Sequence, residues 1–73
     1  MGHKFTIYRV ETNWITHEQT ATKVPGFTRQ GPKGYYRLML DADRMHRESG
    51  IYTHFEVRRH DTGEGYSTRR NGL

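Results

Sequence analysis

The sequence predicts an α+β fold: a small antiparallel β-sheet with one short helix, a mobile loop and a C-terminal tail. Three observations lead there. Residues 4–10 and 51–59 are rich in β-branched and aromatic side chains, and the second segment alternates cleanly. Residues 41–49 carry the charge order of a short helix and end at Gly50. Pro25-Gly26 and Gly31-Pro32-Lys33-Gly34 interrupt the chain between them.

Each element has its own grounds. In Lys4-Phe5-Thr6-Ile7-Tyr8-Arg9-Val10, Phe5 and Ile7 share one face, and Thr6, Tyr8 and Val10 share the other. Lying near the start of the chain, this strand is a candidate sheet edge, open to strand addition or blunted by Lys4 and Arg9. Residues 11–24 are ambiguous: Trp14, Ile15, Glu18 and Ala21 fit a helical stripe, whereas Thr16, Thr20 and Thr22 favour extended chain. They are expected to form a hairpin partner or an irregular segment anchored by Trp14 and Ile15. Residues 25–34 are expected to be a mobile loop pinned by Phe27. Tyr35-Tyr36-Arg37-Leu38-Met39-Leu40, the densest apolar run, is expected to be a strand. Asp41 would cap the helix that follows, and Met45 would be its main apolar contact. In 51–59, Ile51, Thr53, Phe55 and Val57 point to a dry face, and Tyr52, His54, Glu56 and Arg58 to a wet one. Residues 61–65 supply turn chemistry, 66–69 are expected to return as a short edge strand, and 70–73 should fray. The expected core is Phe5, Ile7, Leu38, Leu40, Ile51, Phe55 and Val57.

Composition narrows the function. The chain has 73 residues, twelve Lys+Arg against eight Asp+Glu, a formal charge of +4, five His and no Cys. That length holds one domain, residues 1–73. Without Cys there is no disulfide framework and no thiolate nucleophile. Leu, Ile, Val and Phe number twelve in all, so any core is thin and leans on Tyr, Trp and Met. No apolar run approaches the ~18 residues of a membrane span, and the first residues lack the apolar stretch of a secretory signal. A cytoplasmic location is expected. Met1-Gly2 with Thr6 meets a loose myristoylation pattern, but the same residues read as the approach to a strand.

Catalytic signals are weak. The two Ser, Ser49 and Ser67, sit in no nucleophile motif. Asp41, Asp43 and His46 can be imagined as a metal or acid–base cluster, but they also suit the first turns of a helix. The His residues lack zinc-type spacing, and the glycine pairs lack phosphate-loop spacing. No metal, no cofactor and no enzymatic activity are expected.

Surface recognition is the stronger reading. A hairpin closed at 61–65 would bring Arg58 and Arg59 near Ser67 and Thr68, with Arg69, Arg70, Tyr66 and Tyr52 alongside. Such a patch suits an acidic protein surface, where Arg and Tyr serve as anchors, or phosphates and stacked bases. With the Lys4–Arg9 strand added, the expected partner-binding residues are Lys4, Tyr8, Arg9, Tyr52, Arg58, Arg59, Tyr66 and Arg69.

From Met1-Gly2-His3-Lys4-Phe5 to Arg69-Arg70-Asn71-Gly72-Leu73, the chain resembles the small bacteriophage-encoded transcription regulators that bind host RNA polymerase, of the Xanthomonas phage type. The likeness lies in length, basicity and the lack of an enzyme motif, so no site residue is carried over by position. It implies a monomer in the host cytoplasm that binds the polymerase β′ subunit, with β as a further contact. It also implies inhibition of initiation by weakened σ-factor binding, and antitermination. Two other readings stay open: a small basic nucleic-acid-binding β-domain, and a phage inhibitor of another host complex such as a restriction or CRISPR assembly.

Overall fold

The computed structural model describes residues 2–69; the expected tail at 70–73, with Arg70, lies outside them. The elements are β1 (Lys4–Thr12), β2 (Gln19–Gln30), α1 (Gly31–Arg47), β3 (Thr53–Arg59) and β4 (Gly65–Ser67). The strands form one antiparallel sheet in the order β2-β1-β3-β4. The α+β class is therefore observed, with four strands and one helix among the described residues.

β1 lies inside the sheet, between β2 and β3, and not at its edge. Its period of two sends Phe5 and Ile7 to the face that α1 covers, while Lys4, Thr6, Tyr8 and Val10 take the other. Ile7 pairs with Val57, and Arg9 with Phe55. The outer edges fall to β2 and the short β4.

β2 runs straight through Pro25-Gly26, where a loop was expected. Between Thr6↔Thr28 and Tyr8↔Lys23 its register slips, so residues 24–27 bulge opposite Ile7. Proline is tolerated because an edge strand need not donate every amide, and Gly26 takes φ 82°. The bulge lets Val24 and Phe27 pack against the core.

The main correction concerns 31–47. Residues 35–40 are not a strand, and 31–34 are not a loop; both belong to α1. Gly31, at φ 82°, turns the chain out of β2, and Pro32 fits the first helical turn, whose amides need no intrahelical partner. Tyr35, Leu38, Met39, Ala42 and Met45 then recur at helical spacing. All five pack into or against the core. A period of two would have placed Leu40 beside Leu38 inside; on the helix Leu40 is half-exposed. Asp41 is therefore no cap. It is buried in mid-helix and bonded to Arg44 at 3.2 Å, with Arg37 at 3.9 Å. Arg44, His46 and Arg47 occupy the last turn, where the helix dipole favours positive charge.

The core is a single layer. Ile7, Leu38, Ala42 and Val57 are fully buried, and Phe55 nearly so. Phe5 stacks on Tyr35 at 4.6 Å between ring centroids. The Tyr66 hydroxyl donates to Asp43 at 2.6 Å, tying β4 to α1. Buried Thr68 accepts from the Phe55 amide at 3.0 Å and bonds His46 Nδ1 at 3.2 Å. Thr6, also buried, bonds Thr28 and His60 at 2.9 and 2.7 Å. Ile51, expected in the core, precedes β3 and is 89% exposed. Among the described residues no helix is long and apolar enough to cross a membrane.

Leu38→Ala should cost about 2–5 kcal/mol of unfolding free energy, a large part of the ~5–15 kcal/mol typical of a domain. Leu40→Ala should cost less than about 1 kcal/mol. Urea unfolding followed by circular dichroism checks both.

Candidate functional site

Among the described residues, four of the six exposed large apolar side chains gather at one end of the molecule, while Tyr36 and Leu40 lie on α1. Trp14 (64% exposed) and Ile15 (67%) sit in the turn joining β1 to β2, and Ile51 and Tyr52 (50%) in the connection from α1 to β3. The Thr12 amide donates to the Tyr52 carbonyl at 2.8 Å and so joins the two connections. Between them lies a groove of about 610 Å³ whose walls include Trp14, His17, His46, Ile51, Tyr52 and Arg69.

The turn that carries Trp14 is held by local chemistry. Asn13 Oδ1 accepts from the Ile15 amide at 2.9 Å and the Thr16 amide at 3.1 Å. The Asn13 backbone bonds Glu18 at 2.8 Å and His17 at 2.7 Å. His17 closes the turn at φ 65°, a conformation seldom taken by residues other than glycine. These bonds fix the backbone that holds Trp14 and Ile15 in solvent. Large apolar groups on a pre-ordered turn are the pattern of a docking surface, because little ordering entropy is lost on contact. Among the described residues no carboxylate lines the groove; Arg69 and three imidazoles do.

The residues expected to bind a partner do not form one patch. Tyr52 and Arg69 line the apolar groove. Lys4, Tyr8 and Arg58 lie on the sheet face away from α1, where the Arg58 guanidinium sits 4.7 Å from the Tyr8 ring centroid. Arg9 and Arg59 lie on the opposite parity and pair with Glu11 and Asp61. Tyr66 is turned to Asp43. The expected cluster of Arg58, Arg59, Tyr66 and Tyr52 is thus dispersed over two faces and an end, since adjacent residues of a strand point opposite ways.

The open face is polar and ion-paired. Glu56 bonds His54 at 3.1 Å and Arg58 at 2.7 Å. Partial burial pushes the Glu56 carboxyl up, but bonds from His54 and Arg58 outweigh it and hold the carboxyl below its ordinary value. The Arg59 hydrogen bond holds exposed Asp61 down at about 2. Among the described residues, no group of three or more His, Asp or Glu is placed to hold a metal ion.

Trp14, Ile15 and Ile51 were missed as surface residues because apolar side chains in a core-poor chain are naturally assigned inward. The available signals were Asn13, a turn former beside Trp14, and Gly50 beside Ile51. No family model, curated protein or solved structure matches the chain.

A carboxylate with a lowered folded-state value stabilises the fold above its ordinary range and stops doing so as pH falls through the folded value. Glu56→Gln should therefore be less stable than wild type at pH 7. That gap should close as pH falls through and below the ordinary carboxylate range, as followed by urea midpoints. A gap that stays constant with pH would contradict the assignment.

Proposed function

We propose that this chain is a phage-encoded, non-enzymatic transcription regulator that binds host bacterial RNA polymerase. It holds the β′ subunit, with β as a further contact, inhibits initiation by weakening σ-factor binding, and promotes antitermination. The observation that carries the surface-binding part of this reading is the apolar end: Trp14, Ile15, Ile51 and Tyr52 exposed on hydrogen-bonded connections around one groove. The resemblance in size, charge and lack of enzyme motif supports the choice of target.

The magnitudes are compatible. A standard interface takes ~800 Å² from each partner, against the 5335 Å² that this chain exposes. Aromatic anchors of the Trp and Tyr type dominate the energetics of such interfaces. Shifting σ off the polymerase requires a differential affinity of only a few kcal/mol, because a ligand moves an equilibrium by the difference in its affinities for the two states. The groove, walled by Trp14, Ile51 and Tyr52 and by no carboxylate among the described residues, suits an apolar partner segment.

Affinity capture from a bacterial lysate at modest salt tests the reading. Wild-type protein should recover β and β′, and Trp14→Ala with Ile51→Ala should recover about tenfold less or lower still while staying folded. Capture of no polymerase subunit, or of a restriction or CRISPR complex instead, would contradict it.

A further inference from the structure

The outward face of α1 is as one-sided as its inward face. At ~100° per residue, Lys33, Tyr36, Arg37, Leu40, Arg44 and Arg47 fall within an arc of about 100°, opposite the core-facing Leu38 and Ala42. Beyond Pro32, these six are the exposed residues of the helix. Four are cations, two are large and apolar, and none is a carboxylate. The stripe they make is ~21 Å long at ~1.5 Å per residue.

The two carboxylates of α1 are engaged off this stripe. Asp41 is buried at its flank, 3.2 Å from Arg44 and 3.9 Å from Arg37. It orders both guanidinium groups while leaving their side chains 49% and 62% exposed. Asp43, at the other border, accepts from the Tyr66 hydroxyl. Glu48 comes after the last turn. Lys33 and Arg47, at the two ends of the stripe, enter no ion pair among the described residues. None of the six lines the apolar groove.

We infer that this face of α1 docks against an acidic amphipathic helix of a partner protein. Tyr36 and Leu40, spaced i, i+4 at mid-stripe, pack on the partner's apolar row, and the four cations face its flanking carboxylates. Charge excludes a second copy as the occupant, because four cations would then meet four. The apolar pair decides between a protein and a nucleic acid. Cations alone serve a phosphate backbone. A protein interface is instead built on apolar and aromatic side chains inside a charged rim. Tyr36, 62% exposed, and Leu40, 47% exposed, supply that centre. A straight stripe on one helix matches a second helix, since helices pack ridge into groove along their length. The inference does not rest on the polymerase reading, whose groove is elsewhere, so either can fail alone.

Fluorescence anisotropy with a labelled synthetic helix of about 20 residues, carrying Leu in an i, i+4 row flanked by Glu, tests it. The peptide should bind at about 50 mM salt and more weakly as salt screens the rim. Tyr36→Ala with Leu40→Ala removes only exposed side chains. It should weaken binding about tenfold with an unchanged circular dichroism spectrum. Lys33→Gln with Arg47→Gln should weaken binding about fivefold and flatten its salt dependence. Lys4→Gln with Lys23→Gln, an equal charge change on the sheet face away from α1, should alter binding little. Trp14→Ala with Ile51→Ala should bind as wild type does. No binding at about 50 mM salt, or equal losses in the two charge variants, overturns the inference. So does a loss in the Trp14→Ala, Ile51→Ala variant as large as that in the Tyr36→Ala, Leu40→Ala variant. Displacement of the peptide by duplex DNA at lower concentration than by unlabelled peptide also overturns it.

Discussion

Everything in this molecule depends on one contact: the apolar stripe of α1 laid across the middle of the sheet. Leu38 and Ala42 meet Ile7, Phe55 and Val57 there, and nothing else among the described residues supplies a second core. With few aliphatic side chains to bury, the protein cannot cover both faces of its sheet. It covers one, and closes the other with polar pairs such as Thr6–Thr28 and the His54–Glu56–Arg58 row.

A one-layer core leaves the ends free. The β1–β2 turn and the α1–β3 connection project past the helix, and the described chain is elongated, 43 × 23 × 22 Å. At one end the chain exposes large apolar groups on hydrogen-bonded turns; elsewhere Lys4, Lys23, Arg29 and Lys33 are exposed on both sides of the sheet. Neither set carries the fold, so each is available to a partner.

The strand at 4–10, the Thr53–Arg59 part of the strand expected at 51–59, and the final hairpin were legible because side-chain alternation is a local signal. The α+β class followed from them. The run at 35–40 was not legible as helix. A short apolar run fits either period, and Pro32 and Gly34 looked like a loop when they were the start of a helix. The bulge at Pro25-Gly26 was hidden for a related reason: whether Pro is tolerated depends on a strand lying at the edge, which is a tertiary fact. Among site residues, Tyr52, Arg69, Lys4, Tyr8 and Arg58 were picked by chemistry, but their separation onto different surfaces required strand parity and sheet order.

The separation of core from surface is tested most directly by native-state hydrogen exchange. The amides of Ile7, Val57 and Leu38 should share one opening free energy, equal to that of global unfolding, because helix and sheet lose their core together. Amides in the 13–18 turn and the 49–52 connection should open at lower cost. Protection in those connections equal to that of the core would contradict the account, as would α1 exchanging independently of β1 and β3.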